Sequence, residues 1–161
     1  VPSIVRRRGY YPDYAEAMNN LGLTYAQKGD FAAAKQQYER AIAVDPDYVE
    51  AYNNLGILYL NERKLGEAED LFDKAIHEKP HYPAAYNNRG IVEIYRGRFK
   101  QAEGYFRQAL YLNPDYAKAL NNLGVAVKNQ GRVSEARTYF LMALKLSPDY
   151  AEAKKNLEEI K

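Results

Sequence analysis

From Ala15 to Gln27 the apolar and polar positions alternate with the period of a helix. Taking Asn20 as zero at about 100° per residue, Met18, Leu21, Gly22 and Tyr25 cluster between about 100° and 200°, a face suited to burial. Glu16, Leu23 and Gln27 lie within about 60° of Asn20 on the opposite side. The pattern predicts an amphipathic helix that turns Asn20 away from the core and sets Asn19 on its flank, nearer the adjoining helices. Lys28-Gly29-Asp30 then supplies a stop and a turn. A second helical pattern follows from roughly Phe31 to Val44 and is closed by Pro46, which cannot continue a helix.

The two-helix pattern returns every 34 residues. Pro12-Asp13-Tyr14 recurs as Pro46-Asp47-Tyr48, Pro80-His81-Tyr82, Pro114-Asp115-Tyr116 and Pro148-Asp149-Tyr150. The pairs Asn19-Asn20, Asn53-Asn54, Asn87-Asn88 and Asn121-Asn122 follow at a constant offset; the fifth position holds Lys155-Asn156. Two adjacent asparagines inside a helix need an explanation, because the amide competes for backbone partners.

A strict period of this size marks a stacked array in which each unit buries its apolar faces only against its neighbours. The expected divisions are a tail or upstream remnant over 1–12, units over 13–46, 47–80, 81–114 and 115–148, and a polar capping helix over 149–161. Capping boxes are available at Asp13/Glu16, Asp47/Glu50 and Asp149/Glu152. Gly97 and Gly131 stand at the turn inside their units, whereas the second unit has Arg63 there. Gly22, Gly56, Gly90 and Gly124 on the first helices, and alanines such as Ala34, Ala68, Ala102 and Ala136 on the second, allow close approach. Leu21, Leu55 and Leu123, with Tyr38, Phe72, Phe106 and Phe140, fill the space between.

The period, the Leu-Gly pair, Tyr25 and Tyr59, and the downstream Ala, aromatic, Ala and Pro positions together resemble the tetratricopeptide repeat family. The resemblance runs from Asp13 to about Lys161. It implies an all-α, right-handed superhelix, an α-solenoid, with first helices lining its concave face. It also implies a protein-interaction scaffold.

On such a scaffold Asn20, Asn54, Asn88, Asn122 and Asn156 line up as a ladder along the groove. Leu23, Ile57, Ile91 and Val125 form an apolar stripe beside it. An amide both donates and accepts, so it can pair with a peptide backbone without reading side chains. A helix spacing of roughly 10 Å equals about three residues of extended chain. The ladder resembles that of the O-linked N-acetylglucosamine transferases, whose repeat superhelix grips extended peptide; the resemblance extends only to the scaffold. These readings place a peptide site at Asn20, Asn54, Asn88, Asn122, Leu23, Ile57, Ile91, Val125 and Tyr95. The competing readings are that the asparagines bond to one another or to the next helix, and that the stripe is ordinary packing. For Asn19, Asn53, Asn87 and Asn121 the structural reading is the expectation.

The third unit departs from the others. Arg89 replaces leucine, and Glu93 stands where Tyr25, Tyr59 and Val127 predict a buried apolar residue. Four apart on one helix, they can pair, either in place of apolar contact or as a functional kink or specificity contact. Pro83 alters how that helix starts. Arg96, Arg98, Lys100 and Arg107 form a basic cluster, read as a solvated face or as a contact for an acidic segment. Relatives that hold chaperone C-termini use a carboxylate clamp of Lys, Asn and Arg. The matching positions here carry Asn19, Leu23 and Ala84, and only Asn54 fits, so that mode is not expected.

Composition narrows the classes further. A net charge of +2 from 23 basic and 21 acidic residues, mixed throughout, argues against nucleic acid. The chain has no cysteine, and its two histidines, His77 and His81, lack metal-ligand spacing, so no metal or cofactor is expected. The few hydroxyls (Ser3, Ser134, Ser147, Thr24, Thr138) have no histidine base in the pattern, and the glycines belong to turns and helix contacts rather than a phosphate loop. An enzyme is therefore not expected. No apolar run approaches membrane-spanning length and no signal peptide is recognisable; the compartment is not indicated. Val1 in place of Met suggests a trimmed or processed chain. The alternative to a peptide scaffold is a homo-oligomer built through the weakly capped first unit, exposing Tyr10, Tyr11 and Met18.

Overall fold

The computed structural model describes residues 12–160, with backbone alone for Pro12 and Asp13. Among them are nine helices and no strand: α1 (Pro12–Gln27), α2 (Phe31–Val44), α3 (Val49–Asn61), α4 (Leu65–Glu78), α5 (Pro83–Tyr95), α6 (Phe99–Leu112), α7 (Ala117–Lys128), α8 (Val133–Leu146) and α9 (Ala151–Glu158). Each helix packs on its chain neighbours. The odd-numbered helices also touch one another in succession, while even-numbered ones do not. That asymmetry bends the stack into an α-solenoid with the first helix of each pair on the inside. The upstream segment Val1 to Tyr11, including Tyr10 and Tyr11, lies outside the described residues.

The turns follow the glycine pattern. Gly29, Gly97 and Gly131 adopt φ of 80°, 71° and 83°, the left-handed region that ends a helix without a Cβ penalty. Arg63 takes the same conformation at φ 61°, which costs an L-residue about 1–2 kcal/mol. Asp30 caps α2, its Oδ1 accepting from the Ala33 N–H at 3.0 Å.

The capping boxes at Asp47/Glu50 and Asp149/Glu152 do not form. Tyr48 N–H donates to the Asp45 carbonyl at 3.0 Å, closing a turn, and α3 begins only at Val49. Tyr48 and Tyr150 occupy the N-cap positions, and neither helix has a side-chain cap. Asp47 and Asp149 therefore sit one residue too early. The Asp13 side chain lies outside the described residues. Pro83 is the first residue of α5, where its missing N–H is no loss.

The large-small alternation is present except at Leu21. Tyr38, Phe72, Phe106 and Phe140 are almost completely buried, each against the glycine of its own unit's first helix. Leu55 and Leu123 are buried against the preceding unit's Ala34/Tyr38 and Ala102/Phe106. Leu21, expected in the core, is instead 43 % exposed, because no described helix precedes α1 to cover it. Met18, on the face expected to be buried, is half-buried against Ala15, Ala41 and Ala51 rather than exposed as the oligomer alternative has it. At the far end Ala153, Leu157 and Ile160 rest on the fourth pair.

Arg89 and Glu93 do pair, and they are buried at 6 % and 2 % exposure. Arg89 Nη1 donates to Glu93 Oε1, its Nη2 to Glu69, and its Nε to Asp73 Oδ1 at 2.9 Å. The guanidinium also lies 4.8 Å from the centre of the Tyr105 ring. Arg96 bridges Glu69 and Glu93, and Arg98 reaches Glu93 at 3.5 Å. One unit on, Glu103 collects Arg107, Arg132 and Gln130. The basic cluster is thus no plain solvated face: Arg96, Arg98 and Arg107 all bind carboxylates, leaving Lys100 outside the ion pairs among the described residues.

Candidate functional site

The asparagine pairs form rungs between units. Asn54 Nδ2 donates to Asn19 Oδ1 at 2.8 Å, and Asn88 Nδ2 to Asn53 Oδ1 at 2.8 Å. Asn122 Nδ2 donates to Asn87 Oδ1 at 2.9 Å, and Asn156 Nδ2 to Asn121 Oδ1 at 2.9 Å. Every junction repeats the geometry: the second asparagine of one unit donates to the first asparagine of the unit before. Asn19, Asn53, Asn87 and Asn121 are accordingly buried. Asn54, Asn122 and Asn156 are half-exposed, Asn88 is nearly buried, and Asn20, with no rung below it among the described residues, is exposed.

The amide inventory explains what remains for a ligand. Each second asparagine has two N–H donors and a carbonyl oxygen; the rung uses one donor, and at Asn88 the carbonyl oxygen also accepts from Asn87 Nδ2 at 3.4 Å. The pairing also holds the amide plane fixed, so the remaining groups need little ordering to be used. The cost falls on the inner partner: Asn121 is fully buried beside the Tyr150 hydroxyl, yet its Nδ2 closes no hydrogen bond.

A groove of about 580 Å³ runs along α3, α5, α7 and the start of α9. It brings together Asn88, Asn122, Ile57, Ile91, Val125 and Tyr95. Asn54 does not line this deep part, where Asn53 stands instead, and Leu23 and Asn20 lie outside it at the first unit, both exposed. Ile57, Ile91 and Val125 also pack partly against the core, so the stripe serves both surfaces. Tyr95 is 45 % exposed.

Sequence reasoning missed one row of groove residues. Tyr116 and Tyr150 line it, beside Lys118 and Glu152, which the helix register already places there. These tyrosines end the Pro-Asp-Tyr triplets, and their recurrence directly before each first helix was the available signal. Burial pushes the phenols of Tyr82 and Tyr150 up to about 12 and raises that of Tyr116. They remain neutral hydroxyls at any physiological pH. Lys118 makes no ion pair among the described residues.

A tetratricopeptide repeat sequence profile matches residues 3–34, 21–83 and 87–151. The chain belongs to the tetratricopeptide repeat family. The fold of this family suggests a protein-interaction scaffold, and its members are generally non-enzymatic. No curated protein matches the chain. Among solved tetratricopeptide-like folds, a structure from the functional characterization of Pseudomonas aeruginosa pilF superposes with TM-score 0.84 at 23 % identity, covering 92 % of this chain and 68 % of that one. YrrB, described as a TPR protein with an unusual peptide-binding site, gives 0.69 at 24 % identity, covering 91 % and 75 %. The first TPR of Spaghetti (RPAP3), bound to the HSP90 peptide SRMEEVD, gives 0.68 at 28 % identity, covering 72 % and 92 %. Among the described residues no helix of this tetratricopeptide array is long and apolar enough to cross a membrane.

The rungs separate two kinds of asparagine by stability. Asn53→Ala is expected to lose about 1–2 kcal/mol, because it leaves the nearly buried Asn88 without its acceptor. Asn20→Ala is expected to stay within about 0.5 kcal/mol of the parent, its side chain being exposed and outside any rung. Urea titrations followed by circular dichroism would measure both.

Proposed function

We propose that the concave groove binds an extended polypeptide segment. Asn54, Asn88 and Asn122 would hold its backbone, while Ile57, Ile91, Val125 and Tyr95 receive its side chains; Asn20 and Leu23 would extend the track at the first unit. The observation that carries this reading is the repetition of the rung at four successive junctions. It leaves a row of oriented, half-used amides beside an apolar stripe, at a spacing of about three peptide units per rung. The Spaghetti (RPAP3) domain bound to an HSP90 peptide supports a polypeptide ligand for this architecture. The clamp residues expected for a chaperone C-terminus are not those present here, so the grip is on backbone rather than on a terminal carboxylate.

The test is a peptide-library screen of the parent against Asn54→Ala/Asn88→Ala/Asn122→Ala. The triple variant is expected to bind at least about tenfold more weakly, a loss of about 1.4 kcal/mol, with helicity retained. Since it also removes rungs, Ala84→Arg provides a second probe: it fills the groove wall without replacing an asparagine and is expected to block binding as well. Peptides that bind both variants as tightly as the parent would refute the groove.

A second reading, a homo-oligomer, draws on one observation. Leu141 and Met142 are 51 % and 44 % exposed on α8, at positions where the other second helices carry Glu39/Arg40, Asp73/Lys74 and Arg107/Gln108. Sedimentation velocity across a wide concentration range would show self-association as a rising mass, abolished in Leu141→Glu.

A further inference from the structure

Arg63 occupies the one intra-unit turn position that is not glycine, and it holds φ 61° without the freedom of a glycine. Its guanidinium lies over the Tyr95 ring, with Cζ 3.9 Å from the centroid. Tyr95 is itself an exception, standing where the other first helices carry Gln27, Asn61 and Asn129. Two departures from the repeat, one in each of two neighbouring units, thus meet in a single contact at the groove's rim.

The stack alone does not account for the arginine. An exposed cation–π contact returns no more than the left-handed backbone costs. The side chain also keeps its donors unspent. Among the described residues the Arg63 guanidinium has no carboxylate within ion-pair reach and makes no hydrogen bond, although the turn contains Glu62, which Lys64 takes at 2.6 Å. The adjoining turn adds Arg96, Arg98 and Lys100, and the carboxylates that face them, Glu69 and Glu93, are already bridged. Arg63 is therefore the exposed guanidinium at this rim that is left outside the ion pairs, and it lies over an aromatic ring that lines the groove.

We propose that Arg63 and Tyr95 form a subsite for an acidic side chain of the bound polypeptide, deepening the groove reading on which it rests. A guanidinium stacked by its face keeps its edge free, and that edge matches a carboxylate with two parallel hydrogen bonds. The ladder grips backbone without regard to sequence; the rim supplies selection for Asp or Glu at one place along the segment. The mixed charge of the groove floor, with Lys118 against Glu152, gives no such preference by itself.

The test is an NMR titration with three probes: acetylated, amidated octaglutamate, the matching octaglutamine, and a thymidine octamer. Octaglutamate is expected to shift the Arg63 Nε–H and the Tyr95 ring resonances, and to bind more weakly as salt rises. Arg63→Gly installs the residue that the other three turns carry, so the fold is kept, as a thermal melt checks. It is expected to weaken octaglutamate by about fivefold or more. Arg63→Lys is expected to fall between, since an ammonium has no planar edge.

Octaglutamate that leaves Arg63 and Tyr95 unmoved, or that binds Arg63→Gly as well as the parent, overturns the subsite. A thymidine octamer that moves the same resonances more strongly overturns it too, because the rim then reads phosphate. Octaglutamine that fails to move the amides of Asn88 and Asn122 counts against the ladder reading and leaves the rim result standing.

Discussion

Replacing Arg89 by alanine is expected to cost about 3–5 kcal/mol, whereas Arg89→Leu combined with Glu93→Val is expected to be neutral or stabilising by about 1–4 kcal/mol. The reason is the difference between breaking a buried charge pair and removing it whole. With the guanidinium gone, Glu93 keeps a 2 % exposed carboxylate whose remaining partners are Arg96 at 3.1 Å and the more distant Arg98 at 3.5 Å. Glu69 and Asp73 lose a shared partner at the same time. The double change instead installs the residues found at these positions in the fourth unit, Leu123 and Val127, which lie buried against Ala102, Phe106 and Phe140. Guanidinium titrations of the three proteins would measure the effect. If Arg89→Ala cost less than about 1 kcal/mol, a surface-pair value, the network would be peripheral to the fold.

Acid should act on the same network. The hydrogen bond from Arg96, with the nearby Arg89 charge, holds the Glu69 carboxyl below the usual carboxylate range. A depressed folded-state value means that this stability is fully present above the unfolded value of about 4.3 and is lost as pH falls toward the folded one. The acid side of a melting-temperature profile should therefore be shallower in Glu69→Gln.

Much of the fold was legible because the repeat supplies independent readings of each position. The second helix predicted over Phe31 to Val44 has those ends, and the outward turn of Asn20 with Asn19 on the flank follows from a 100° step alone. What escaped were features that depend on neighbours. Leu21 has the same local pattern as Leu55, yet it is exposed because burial at that position comes from the preceding pair. The capping boxes failed because two carboxylates at the right spacing from a glutamate still sit one residue ahead of the N-cap. Bonding between the asparagines was one of the readings open from the sequence, but its donors and acceptors escaped for a related reason: Asn53 and Asn88 are 35 positions apart, and which amide donates depends on where the stacked helices place them. The sequence showed that the asparagines form a row. It did not show that one of each pair orients the other.

The second large effect is expected at the glycines, and Gly124→Ala is the sharpest case. A Cβ built there would collide with Phe140 Cε1 and lie 2.7 Å from Cδ1, closer than carbon atoms approach without displacement. Two forces oppose. Within a helix alanine is favoured over glycine by about 1 kcal/mol, so at an open site the change would stabilise. Here the ring cannot yield, since Phe140 is fully buried among Ala126, Val127 and Ala136, and overpacking a dense core costs about 1–3 kcal/mol or more. The contact is severe enough for the steric term to win, with a net loss of about 2 kcal/mol. Gly104 supplies the control: nothing lies within 4 Å of its built Cβ, so Gly104→Ala on α6 should gain up to about 1 kcal/mol. Phe140→Leu in the Gly124→Ala background completes the argument, because shrinking the ring removes the clash. The double variant is expected to be more stable than the sum of the two single losses by about 1 kcal/mol or more. Strict additivity would mean that glycine is present at this position for its backbone rather than for the approach of the aromatic ring.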